Sequence, residues 1–195
     1  MQRLMMRVKI CGVTRAEDAE LASHLGAWAV GLMFVPSSPR FLTIEAAKRL
    51  RSAIGPDTLA VGVFADADDE LIRRAVAACK LDAVQLHGLE TPEACAAAGA
   101  PAYKALPFAG PDDVARLEAY AGRAAGFLLE TVRRLPGGRE RVAPEEQARR
   151  WKLARGCAGL GTLLLAGELT PDNVADAIRA ARPAGVDVSG GVESS

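Results

Sequence analysis

The chain has 195 residues, half of them apolar, and its 24 Lys plus Arg are matched by 24 Asp plus Glu. That length supports one sizeable core in a single domain spanning 1–195, and the balanced charge removes the broad field that would draw it to nucleic acid or an anionic membrane. No apolar run approaches the roughly 18 residues of a membrane span, and the opening MQRLMMRVKI lacks the core and cleavage site of a secretory signal, so a cytoplasmic protein acting on a small neutral or anionic molecule is expected.

Short runs rich in Val, Leu and Ala alternate with Ala/Arg/Glu-rich segments of helical periodicity. The strands are expected near Val8–Cys11, Ala29–Phe34, Leu59–Phe64, Ala83–Leu86, Ala102–Ala105, Gly126–Leu129, Thr162–Ala166 and Gly185–Val188. Between them, Thr14 with Glu17 fits a capping box, Thr43 precedes IEAAKRL, and Thr91-Pro92 and Thr170-Pro171 each set a cap before a first-turn proline. Apolar, non-alternating strands joined by helices imply a parallel sheet, and eight such units predict an α/β fold of the (β/α)8 TIM-barrel type, with a doubly wound open sheet as the rival. The sequence stops at VDVSGGVESS, which predicts a minimal barrel lacking the eighth helix. The groove between its first and seventh helices is then expected to be apolar, and a second copy of the chain, in a homodimer, is the expected cover.

Cys11, Cys79, Cys95 and Cys157 show no paired spacing, which argues against disulfides and against a thiolate zinc site, and no structural metal is expected. In a barrel the chemistry sits where strands end, so the residues to weigh are Cys11, the Ser37–Arg40 loop, Asp66, His87, Lys104, Glu130, the AGEL stretch from Ala166 and the SGG stretch from Ser189. Cys11 precedes the Thr14 helix, whose N-terminal dipole would favour a thiolate base, while a small buried hydrophobe is the alternative. Glu130 ends GFLLE and is a general-acid candidate, or else a solvated glutamate paired with Arg133 or Arg134. Arg40 could grip a carboxylate in bidentate fashion, or be an ordinary surface arginine. Gly167, Ser189, Gly190 and Gly191 belong to the seventh and eighth loops, which in barrels frequently hold phosphate through backbone N–H groups; turn glycines are the alternative. His87 either lines the pocket and orients a neighbour or is structural.

The stretches VKICGVT, GLMFVPSSPRFLT, VGVF, VQLHG, LAGELTPDNV and VDVSGGVE, in that order from Val8 to Glu193, resemble the phosphoribosylanthranilate isomerase family. The resemblance implies an Amadori rearrangement of N-(5-phosphoribosyl)anthranilate to 1-(2-carboxyphenylamino)-1-deoxyribulose 5-phosphate in tryptophan biosynthesis, with no cofactor. It also implies that Cys11 is the base that takes the C2 proton, that Arg40 faces the anthranilate carboxylate, and that Glu130 is the acid at the ring oxygen, where the family carries aspartate. At neutral pH a free thiol, with a pKa of about 8.5, is mostly protonated and a free glutamate is ionised, so a working pair needs both values displaced toward each other. Three departures from the family pattern stand out besides Glu130. LPGGRERVAPEE replaces a Gly-Thr-Gly element, Glu168 stands where a second glycine is usual, and Gly190 replaces a serine. Glu130, Glu168, the altered loop and the abrupt C-terminal end motivate an alternative function: a degenerate barrel that binds a phosphorylated ligand or a protein partner with little turnover.

Overall fold

The computed structural model describes residues 6–132, 134, 135 and 138–193. Eight parallel strands close into a barrel in sequential order: Arg7–Cys11, Ala29–Met33, Leu59–Phe64, Ala83–Leu86, Ala102–Pro107, Gly126–Glu130, Thr162–Ala166 and Gly185–Val188, the last pairing with the first. All eight coincide with the expected runs, four of them with the same bounds and four with one end moved by one or two residues. Their continuous apolar character follows from burial on both faces, helices outside and packed side chains within. The open-sheet rival is excluded by the closing register, in which Lys9 lies opposite Asp187 and Ile10 opposite Val188.

Seven α-helices occur among the described residues: Ala16–His24, Ile44–Arg51, Asp69–Cys79, Pro92–Ala97, Asp112–Glu118, Pro144–Ala154 and Val174–Ala181. Behind the eighth strand the described chain makes a single 3-10 turn, Gly190–Val192. Two of the expected caps form: Thr43 accepts from Ala46 N at 3.2 Å and Thr91 from Ala94 N at 3.3 Å. Two do not. The first helix is entered through Arg15 in extended conformation with no side-chain cap, so Thr14 and Glu17 close no box. Near Thr170 an Asx-type contact intervenes, Asn173 Oδ1 accepting from Thr170 N at 2.9 Å, and the helix begins only at Val174.

Packing divides into an outer and an inner layer. Outside, one apolar cluster joins the early helices to their strands through Leu32, Leu50, Ile72 and Leu86, and another joins the later ones through Leu117, Phe127, Trp151 and Leu165. Inside, Ala29, Val61, Ala83, Ala105, Leu128 and Leu164 fill the lower barrel together with Trp28 and Tyr103. Small residues suit so narrow an interior, and the plug they make leaves the C-terminal strand ends open above it. Leu21 in the first helix and Leu25 at its C-terminal cap, four residues apart, are 57 % and 78 % exposed. No helix among the described residues is long and apolar enough to cross a membrane.

Candidate active site

The open end of the barrel holds a cavity of about 260 Å³. Every residue selected from the sequence as catalytic or binding lines it: Cys11, Arg40, His87, Glu130, Gly167, Ser189, Gly190 and Gly191. Strand geometry explains the convergence, because Cys11, Glu130 and Asp187 occupy the inward-facing positions at or near the ends of the first, sixth and eighth strands.

Cys11 is buried yet reaches the cavity wall. Its sulfur fills space that Gly31 leaves free; a Cβ on Gly31 would lie 2.8 Å from Sγ and 3.3 Å from Lys9 Nζ. Burial pushes the thiol above its ordinary value, the Lys9 ammonium pulls it down, and Asp187 pushes it up again. The first helix starts at Ala16, and the cation beside the sulfur is Lys9, whose Nζ is 2.6 Å from Asp187 Oδ1. The other cysteines sit buried elsewhere, and none of them lines this cavity.

Glu130 Oε2 is 2.9 Å from His87 Nε2, and the other ring nitrogen is 3.1 Å from Gln85 Nε2. A Gln85 amide that donates to Nδ1 leaves the proton on Nε2, aimed at the carboxylate. The backbone just past Glu130 is held from the sixth helix: Gln147 Nε2 donates to Thr131 Oγ1 at 2.8 Å, and Arg150, itself clasped by Glu140, donates to Thr131 O at 2.9 Å. Of the partners anticipated for Glu130, Arg133 lies outside the described residues, as does the side chain of Arg134.

Arg40 lies over Gly12, where a Cβ would meet its Cδ at 2.4 Å, and it grips Glu193 through Nε at 2.7 Å and a terminal nitrogen at 2.8 Å. The rim also carries Gly167 at φ 104°, Gly190 beside the Arg40 guanidinium, and Gly191, where a Cβ would fall 2.0 Å from Leu169 O. Glycine is therefore required at Gly191 by contact, and at Gly167 by backbone angle and by contact, a Cβ there falling 2.7 Å from Val132 N. Glu168 takes φ 54°, a left-handed conformation that favours glycine.

Asp66 and Lys104 turn out to be structural. Asp66 Oδ1 accepts from Leu89 N, and fully buried Lys104 donates to Leu86 O, Gly88 O and Glu90 Oε2, which pins the loop that carries His87.

A family model for N-(5'-phosphoribosyl)anthranilate isomerase matches residues 8–195. The chain belongs to this family. An N-(5'-phosphoribosyl)anthranilate isomerase of Myxococcus xanthus is 47 % identical over 195 residues, covering 98 % of this chain and 89 % of the relative. That of Symbiobacterium thermophilum is 46 % identical over 203 residues, covering 97 % and 90 %. The crystal structure of phosphoribosyl anthranilate isomerase from Thermotoga maritima superposes with a TM-score of 0.87 at 36 % identity, covering 98 % of this chain and 91 % of that one. A phosphoribosyl anthranilate isomerase solved in complex with reduced 1-(o-carboxyphenylamino)-1-deoxyribulose 5-phosphate matches with a TM-score of 0.84 at 34 % identity, covering 98 % and 90 %. Within this family, the residues that sequence reasoning passed over here are Lys9, Gln85, Asp187 and Glu193. Inward alternation from Cys11 back to Lys9 was the available signal for the first of them.

Proposed function

We propose that the cavity converts N-(5-phosphoribosyl)anthranilate to 1-(2-carboxyphenylamino)-1-deoxyribulose 5-phosphate, with Glu130 as general acid and Cys11 as general base. Glu130 gives its proton to the ring oxygen as the bond from that oxygen to C1 breaks, and the anilinic nitrogen's electron pair makes the Schiff base. Cys11 as thiolate then removes the C2 proton, the electrons move to the nitrogen, and the resulting enol gives the ketone as C1 takes up a proton and the C2 hydroxyl loses one. Arg40 takes the anthranilate carboxylate in bidentate fashion. Gly167, Ser189, Gly190 and Gly191 cradle the phosphate with N–H groups that a bulkier backbone could not present so closely. His87 steadies the Glu130 carboxyl, and Gln85 fixes the histidine's tautomer.

The observation that carries this reading is that Cys11 and Glu130 border one cavity, Arg40 and the two glycine-bearing loops completing its rim. Negative charge on the incoming substrate raises the carboxyl's affinity for its proton, which an acid at neutral pH requires. Mixing the purified protein with freshly made phosphoribosylanthranilate and following the loss of anthranilate-type fluorescence tests it. Turnover is expected in the parent protein, lost in Cys11→Ser and reduced by about 10²-fold or more in Glu130→Gln. Binding without turnover by the parent protein would instead support the degenerate-barrel reading.

A homodimer is part of the same proposal. The Thermotoga maritima protein is described as dimeric, and the Leu21 and Leu25 stripe gives this chain an apolar face for a second copy. Light scattering at micromolar concentration should return twice the chain mass.

A further inference from the structure

Inside the barrel one cation faces two acids. Lys9 is 1 % exposed, and because it lies opposite Asp187 in register, both side chains enter the interior at the same level, with Nζ 2.6 Å from Oδ1. Cys11, two residues on, points the same way, and its sulfur and the ammonium crowd the same space over Gly31, where a Cβ would lie 2.8 Å from Sγ and 3.3 Å from Nζ. Three N–H donors can serve both acids at once. A single positive charge cannot balance two anions in so dry a place, where unscreened repulsion between them is strong.

We propose that Lys9 is the positioning residue for the Cys11 thiolate and that Asp187 competes with the sulfur for it. While Asp187 is ionised Cys11 stays a thiol, and neutralising or drawing off that carboxylate hands the ammonium to the sulfur. This rests on the reading of Cys11 as the base and extends it to how the base is made. Asp187 lines the cavity, so an occupant of the site can reach it; the thiolate then forms when the site is filled, and the empty enzyme keeps a less oxidisable thiol.

The charged surroundings agree. Around Cys11, burial acts upward, Lys9 downward, Asp187 upward and Arg40 downward. Around Asp187, burial raises its affinity for a proton, Lys9 and then His87 lower it, and Glu130 raises it. Of these groups, Lys9 is the cation that pairs with Asp187 and also draws the thiol's affinity for its proton down.

The test is alkylation of Cys11 by iodoacetamide across pH in the intact, substrate-free protein, read by mass spectrometry of the peptide that carries it. Below the thiol's pKa the rate follows the thiolate fraction, about tenfold for each unit the pKa moves. Asp187→Asn is expected to alkylate faster at pH 7 than the parent, by about tenfold or more, with its profile displaced to lower pH. Lys9→Met is expected to be slower, its profile displaced upward. Where Lys9→Met alone fails to fold because it strands a buried carboxylate, the double variant Lys9→Met with Asp187→Asn takes its place and must alkylate more slowly than Asp187→Asn. Asp187→Asn alkylating no faster than the parent overturns the proposal, and so does a lysine-free variant that matches Asp187→Asn. No turnover enters the readout, so a chain that failed as an isomerase could still pass, and an active isomerase could fail.

Discussion

Glu130 and His87 are in direct contact, Oε2 to Nε2 at 2.9 Å, and the histidine is in turn fixed from behind by Gln85 at 3.1 Å. The pair joins the sixth strand's end to the loop after the fourth, across the barrel mouth. Glu130→Gln retains the shape and loses the proton donor, so kcat is expected to fall by about 10²- to 10⁴-fold. Glu130→Asp keeps a carboxyl but withdraws it by one methylene from His87, and its loss is expected to be smaller, within about 10²-fold. Steady-state kinetics on the two variants decide the matter; an Asp variant slower than the Gln variant would remove Glu130 from the acid's role.

Glu168 puts a side chain and a charge at a position whose φ of 54° favours glycine. Glu168→Gly relieves a left-handed strain of roughly 1–2 kcal/mol, partly offset by about 0.5–1 kcal/mol of added chain entropy in the unfolded state. A melting temperature unchanged or slightly raised is expected. Removing a negative charge from the wall assigned to the phosphate should also lower KM with little effect on kcat. A raised KM would show that the side chain helps the ligand instead.

What could be read from the sequence, and what could not, divides by range. The strands were legible because burial on both faces leaves an uninterrupted apolar run such as LAVGVF at Leu59–Phe64. The Thr43 and Thr91 caps were legible because a cap is settled within four residues. Thr14 misled because the chain stays extended through Arg15 before turning, and Thr170 misled because Asn173 competed locally for its N–H. In the site, residues that follow strands announced themselves by position. Lys9 and Asp187 did not, since they are 178 residues apart and a lysine within VKIC reads as an interruption of a strand until closure brings its partner alongside. Glu193 reads in the sequence only as the end of a motif, and its grip on Arg40 depends on two loops meeting.

The clamp under His87 can be broken separately from the chemistry. Lys104 and Glu90 are buried and paired at 2.9 Å, and Glu90 also accepts from Asp66 N and Gly88 N at 2.8 and 2.9 Å. Removing one member strands a buried charge, which typically destabilises by about 3–5 kcal/mol. Lys104→Met is therefore expected to shift the urea midpoint sharply downward. Under native conditions its kcat should also fall, because the loop that presents His87 loses the donor that holds Leu86 O and Gly88 O. A variant as stable as the parent would show that the loop is held by other contacts.

Arg40 is engaged by Glu193 before any ligand arrives, at 2.7 and 2.8 Å. A substrate carboxylate must share or displace that partner. The arginine holds the Glu193 carboxyl below the ordinary carboxylate range, so the clasp is intact at and above that range and opens only as pH falls through the depressed value. Around neutral pH the competition is thus always present. Glu193 is half exposed, and such pairs are worth about 0–1 kcal/mol after solvent screening, which corresponds to no more than about fivefold in binding. Glu193→Gln is expected to lower KM by up to about that factor at pH 7 and to leave kcat alone. The advantage should shrink as the assay pH falls through the depressed Glu193 value, where the parent's clasp opens by protonation. A KM that rises in Glu193→Gln would mean that the glutamate orients Arg40 for the substrate rather than contending with it.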